Sequence, residues 1–359
     1  MDSAWQKTAA DRVEHFRAFH ARRNARPLFG FFKGSEYPLP RYPFSRNLPE
    51  GRPLQPGDFD IPAFVADAER LFFEHEACGG DFIYSASAFW GIPWLEAMLG
   101  CPIFANHQTG SIHAEPPPAF APDSLPAFDP DGPWAHLMDE MLGALAACSA
   151  GRFPLATTRM RGVADLLSAL YGSDAFVFAL LDQPDAVLRA AARVTDLFIA
   201  CGLFQLERMP LFHGGVGSFY YHAWMPSGTI WHQEDAAALL SPDLYASFIE
   251  PFDRRIVAAF PHVVMHQHST GFVPTDRYLD MGLAALELHI DCGGPPAEAL
   301  FERHLAILRE RPLIIWGDIP AADLDWLFSK LPPYGLAVIT VVNGPEQAHA
   351  LWRKYVERI

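Results

Sequence analysis

The chain has 359 residues, with 27 Lys and Arg against 42 Asp and Glu, a formal net charge of −15. Half of the residues are hydrophobic and 19% are charged, so a large core can form, which excludes a disordered chain, a coiled coil and a disulfide-stapled miniprotein. The acidic balance argues against nucleic acid and anionic membrane as main partners, because binding phosphate calls for a basic surface.

Residues 1–25 are polar and mixed in charge, with no apolar stretch of signal-peptide type, and no run approaches the roughly 20 apolar residues that span a bilayer. The five cysteines, Cys78, Cys101, Cys148, Cys201 and Cys292, are scattered and form no C-x-x-C pair. Such cysteines are expected to be buried small hydrophobes in a reducing compartment, so the reading is a cytoplasmic protein.

In chain order, residues 11–23 have helical character and residues 26–32 read as a short buried strand. Residues 34–60 are rich in Pro, Gly, Arg and aromatics without a period, and read as a long lid or pocket loop. Residues 61–76 return to helical spacing, residues 81–84 read as a second strand, and residues 104–133 are a second irregular, Pro-dense stretch, again read as a lid or pocket loop. Beyond Pro133, helical segments (134–148, 184–201, 242–260, 296–311, 345–358) alternate with apolar runs (154–158, 216–222, 263–266, 284–289, 313–317, 337–342). Ser241-Pro242-Asp243 is a helix start, with Ser capping, Pro at the first position and Asp complementing the dipole; Pro251 should interrupt that helix. Two early and six later strands predict a single-domain (β/α)8 TIM barrel with long N-terminal loop insertions. An open doubly wound sheet is the alternative, and the lack of G-x-G-x-x-G and P-loop motifs speaks against it.

Barrel chemistry sits at the carboxyl ends of the strands. There the sequence reads Tyr220-Tyr221-His222-Ala-Trp224, His266-Gln-His268, Glu287-Leu-His289-Ile-Asp291, Trp316-Gly-Asp318 and Val342-Asn343, with Trp231-His-Gln-Glu-Asp235 in a loop between the fourth and fifth runs. His266 and His268 are two apart on a strand and so share a face, where they can chelate a divalent metal such as zinc, with His289 or Glu287 as third ligand. The alternative is that they hydrogen-bond substrate without metal. Asp235 or His232 is the candidate proton carrier, although Asp235 could instead cap the following helix; Glu234 is expected to be solvated. Asp318 would position the imidazoles or the substrate. Trp90, Tyr220, Tyr221, Trp224 and Asn343 are candidate substrate-binding residues, the aromatics forming a wall for a small apolar, aromatic or methylated ligand.

The segment Gln233–Phe252, acidic then small and apolar, then Ser-Pro, then aromatic and Pro, resembles the uroporphyrinogen decarboxylase-like superfamily. Residues 151–166, 180–185 and 89–101 are similar to it in the same order, so the likeness runs from about residue 80 onward. The resemblance implies a (β/α)8 barrel. True uroporphyrinogen decarboxylases carry an Arg-rich N-terminal motif where this chain reads Phe31-Phe-Lys-Gly-Ser-Glu-Tyr37, with no Arg pair to grip a polycarboxylate. The other branch holds methyltransferases that exchange methyl groups between corrinoid proteins and thiols or methylated substrates, with zinc on an H-x-C pair and a later Cys. Here His268 replaces the first Cys and Val342-Asn343 the second, which makes a harder, more cationic site.

The resemblance thus implies a methyltransferase-like enzyme acting on a small substrate, with zinc in the chain and corrinoid on a partner protein, since no D-x-H-x-x-G motif is present. A carboxy-lyase acting on a small acid without corrinoid, and a non-catalytic binding barrel, are the alternatives. The expected partners are a small molecule, the corrinoid protein and a second copy of the chain in a homodimer.

Overall fold

The computed structural model describes residues 7–357. Its strands are β1 (Leu28–Lys33), β2 (Ile103–Asn106), β3 (Ser111–Ala114), β4 (Gly215–Gly217), β5 (Trp224–Pro226), β6 (Thr229–Gln233), β7 (His262–His268), β8 (Ala285–His289), β9 (Leu313–Gly317) and β10 (Leu336–Val342). Six of these form one all-parallel sheet in the order β1-β10-β9-β8-β7-β6. The pairs β2-β3 and β4-β5 are separate antiparallel ribbons. Strands such as Leu-Ile-Ile-Trp-Gly and Leu-Ala-Val-Ile-Thr-Val-Val are apolar at nearly every position because helices cover the sheet, leaving no solvent face for alternation to mark.

Helices Glu250–Ala259, Thr275–Asp280, Phe301–Glu310 and Ala321–Lys330 connect successive strands from β6 to β10. Pro251 has the expected effect: the segment read as one helix is two, Pro242–Phe248 and Glu250–Ala259, and Ser241 Oγ accepts from Leu244 N at 3.2 Å as its cap. Buried apolar residues from Val13 to Tyr355 make one cluster. No single helix among the described residues is long and apolar enough to cross a membrane.

Three strand expectations are corrected. Residues 81–84 and 154–158 are not strands: isolated hydrogen bonds link the first to edge strand β1, residue 86, just past it, to the second, and residue 162, just past the second, to edge strand β6. Asp81 N donates to Phe29 O (2.8 Å), Ala156 N to Ala86 O (2.8 Å) and Gly162 N to Gln233 O (2.8 Å). Residues 81–84, Asp-Phe-Ile-Tyr, have bulk that suits a strand, but Asp81 N bonds to Phe29 O and Ile83 N to His222 O, so no continuous ladder forms with one neighbour, and Pro154 lacks a donor. The run 216–222 is also no sheet strand. Its start pairs with Trp224–Pro226, and the sheet strand is Thr229–Gln233, where the sequence reading had placed a loop.

The two long loops carry more structure than their composition suggests, the second opening with the β2-β3 ribbon. Leu39, Tyr42, Phe44, Leu48, Leu54 and Phe59 are buried, so residues 34–60 are anchored to the core at intervals, with exposed positions between.

Asp81 carries an ion-pair cluster that ties the N-terminal helix to the sheet. Its side chain is fully buried and accepts from Arg26 through both oxygens (2.6 and 2.9 Å), from Lys7 (2.5 Å) and from Phe29 N (2.9 Å), with His15 at 3.1 Å. Burial works against the charge, but His15, Arg26 and Lys7 outweigh it and hold the carboxyl well below its usual range. With the folded value lowered, this stabilisation is in place above the unfolded value of about 4 and is lost as pH falls through the folded one. Asp81→Asn should cost about 2–3 kcal/mol in urea unfolding at pH 7, with the deficit shrinking in acid.

Candidate functional site

Parallel pairing of β7 with β8 places His266 opposite Glu287 and His268 opposite His289, and β9 sets Trp316 beside His289. The two-residue period of a strand then turns these side chains to one face at the carboxyl ends. His266 Nδ1 is hydrogen-bonded to Glu287 Oε2, and the Tyr221 hydroxyl lies 3.0 Å from the same nitrogen. His268 Nδ1 is 2.6 Å from Asp291 Oδ1. Both imidazoles are thereby held by their Nδ1 atoms, which leaves each Nε2 facing the same carboxylate: Asp235 Oδ1 is 3.8 Å from His266 Nε2 and 3.6 Å from His268 Nε2.

Asp235 is held in place by a reciprocal clamp. It opens the 3-10 turn Asp235–Leu239 that follows β6. Glu234 accepts from Val163 N (2.5 Å) and Ala164 N (2.8 Å) at the start of helix Val163–Tyr171, while Asp165 of that helix accepts from Ala236 N (2.7 Å). Gly162 permits this approach: a Cβ there would lie 2.4 Å from Gln233 O. Arg161 backs the clamp from Glu96 (2.9 Å) and Asp165 (3.5 Å). Asp235 itself accepts from the Gln233 amide and makes no helix-capping bond.

The electrostatics are uneven. Burial opposes charge on His268, but the Asp291 hydrogen bond and the carboxylates of Asp235, Asp291 and Glu287 prevail and raise it to about 9. Burial and the charges of its two histidine neighbours lower His289 to about 4, so it is neutral at pH 7. Burial raises Glu287, whose Oε1 has no hydrogen-bond partner. For Asp291, burial is outweighed by bonds from His268, Ser269 and Thr270, and its carboxyl lies well below the usual range.

Asp235, His266, His268, His289 and Asp291 line a cavity of about 440 Å³ that also takes in Trp90, Tyr220, Tyr221, Trp231, Trp316 and Arg159. Ring contacts weld its aromatic side into a wall: Trp90–Tyr220 at 4.9 Å, Tyr220–Trp316 at 4.6 Å and Phe219–Trp231 at 4.7 Å between centroids. Tyr220 and His222 have φ of 67° and 58°, a left-handed backbone that non-glycine residues adopt at a cost. That turn sends Tyr220 and Tyr221 to the cavity while His222 stacks on Phe32 behind it.

Of the residues singled out from sequence, Trp90, Tyr220, Tyr221, Asp235, His266, His268 and His289 come together at this cavity. Glu287 stands behind His266 as its hydrogen-bond partner rather than as a ligand on the open side. Four others are placed elsewhere. His232 is fully buried against Asp253 (3.0 Å), turned away because it alternates with Trp231 and Gln233 along β6. Trp224 is buried on the β4-β5 ribbon, its ring N–H bonded to Phe212 O. Asn343 is exposed and its N–H donates to Gln347, at the start of the last helix. Asp318 is exposed and lines a neighbouring cavity with Asp291 and Cys292. Glu234, expected in solvent, is buried.

Sequence reasoning missed Arg159, Glu36, Asp291 and Trp316 as cavity residues, although Asp291 was visible two residues beyond His289. Cys292 is exposed at the same cavity, unlike Cys78, Cys101 and Cys201, which are buried as expected.

No family model and no curated protein matches the sequence. Among solved structures, a methyltransferase from Methanosarcina mazei is similar to this chain with a TM-score of 0.62, over 97% of this chain and 98% of that one, at 14% identity. That is a likeness of fold.

The placement of His232 yields a direct test. His232→Ala should destabilise the chain by about 2–3 kcal/mol in denaturant titration, by opening a void and stripping a partner from buried Asp253. Ligand and metal affinities at the cavity should stay at wild-type level.

Proposed function

We propose that this chain is a methyltransferase-like enzyme, a single domain whose sheet and its two hydrogen-bonded edge segments correspond to a TIM-type ring, and that His266, His268 and Asp235 hold a divalent metal. The observation that carries the reading is the meeting of three ligand atoms, two imidazole Nε2 and one carboxylate oxygen, all within 4.8 Å of one another and with no hydrogen bond among them. Two donors about 2.1 Å from a tetrahedral ion lie about 3.4 Å apart, so a small contraction completes the set. The carboxylates that raise His268 are the same field that favours a divalent cation. Glu287 and Asp291 supply the outer carboxylates that fix imidazole tautomer and direction.

A divalent ion there, zinc being the best match to two imidazoles and a carboxylate, supplies Lewis acidity toward a substrate heteroatom. The remaining work falls to the chain. Tyr221 and Glu287 hold His266, the aromatic wall excludes water from an apolar substrate body, and neutral His289, stacked on Trp316 at 4.8 Å, offers an uncharged imidazole for hydrogen bonding to the substrate. The methyl partner in this reading is a corrinoid on a separate protein, as the resemblance of residues 80 onward implies, while the methyltransferase of like fold bears on methyl transfer in general.

Elemental analysis of untagged protein should find one metal per chain. His266→Ala should abolish it and Asp291→Asn should weaken metal affinity about 10–100-fold. Incubation with methylcobalamin or its carrier protein and candidate thiols should change the corrinoid spectrum; carbon dioxide release from a small acid with no methyl transfer would overturn the reading.

A further inference from the structure

Arg159 is the positively charged cavity residue that the proposed function leaves unused. Its guanidinium makes no hydrogen bond and no ion pair with the described residues, and its Nε is shielded from solvent without an acceptor. Arg161, two residues along, shows the contrast: Glu96 and Asp165 both bind it. Burial lowers Arg159, as does the charge of Arg161, while Glu96, Asp235 and Asp165 pull the other way without touching it. A guanidinium stays charged at any physiological pH, and one that is half-buried with a shielded, unpaired Nε and no carboxylate on its terminal nitrogens is suited to bind an anion.

We infer that Arg159 binds a carboxylate on the substrate through its two-pronged N–H fork, while the substrate's apolar body lies on the wall of Trp90, Phe219, Tyr220 and Trp231. The planar fork matches a carboxylate's two oxygens. Glu36, Asp235 and Asp291 share the cavity and would repel further negative charge, which favours a monoanion over a phosphate dianion. The aromatic side favours a flat or methyl-bearing body. The substrate class is then a small organic monocarboxylate with an apolar or aromatic frame, its far end directed at the histidines. This deepens the proposed function in one respect only, resting on its assignment of the cavity as the substrate site.

Calorimetric titration of the full chain with benzoate and 4-methoxybenzoate, each against its neutral amide, tests the inference. The acids should bind at least tenfold more tightly than the amides, Arg159→Met should erase that preference, and Arg159→Lys should keep only part of it. Equal affinity for acid and amide in the wild type, or a preference that survives Arg159→Met, would overturn it. Should Arg159→Met lack the wild-type circular dichroism and melting curve, Arg159→Lys decides, undiminished affinity for the acids counting against the fork. Metal content is read on the same samples: an acid preference that depends on Arg159 in a chain that binds no metal would defeat the metal reading and leave this one standing.

Discussion

Two carboxylates standing behind two imidazoles set the character of this site. Glu287 behind His266 and Asp291 behind His268 each occupy an Nδ1, and an imidazole so held has one ring nitrogen left to offer and one direction to offer it in. Had these acids been absent, the histidines could rotate or pair with each other, whose rings are only 4.7 Å apart. The register between β7 and β8 makes the arrangement possible by delivering His266 beside Glu287 and His268 beside His289. A slip of one residue would carry both histidines to the opposite face.

The opposing carboxylate is held by different means. Asp235 lies beyond the end of β6, where no ladder fixes it, and the clamp between Glu234, Asp165 and the start of helix Val163–Tyr171 takes the ladder's place. Burial raises Asp165 to about 6 and Glu234 well above its usual range, so this support is assembled from acids kept out of water. The left-handed backbone at Tyr220 and His222 is a second such cost, met by ring packing on both sides of the turn.

The sequence showed the sheet where it is continuous and the site where it is periodic. Strands β7 to β10 were legible because each is a bounded apolar run, and the pair His266 and His268 was legible because two-residue spacing maps directly onto a shared face. The segments 81–84 and 154–158 were misread because apolar composition does not reveal whether a ladder forms beside it. His232 was misread because it lies on a strand taken for a loop, and alternation along β6 turns it into the core with Asp253. Trp224, Asn343 and Asp318 were chosen for nearness to strand ends in sequence, and the chain turns away before the cavity at each. Arg159 could not have been singled out, since its distinction is the lack of a partner.

Cys292 has a practical consequence. Among the five cysteines it alone is exposed, and it sits on the rim beside Asp291. A thiol-reactive fluorophore or spin label would therefore attach at the mouth of the cavity without any engineered residue, reporting occupancy from the native chain.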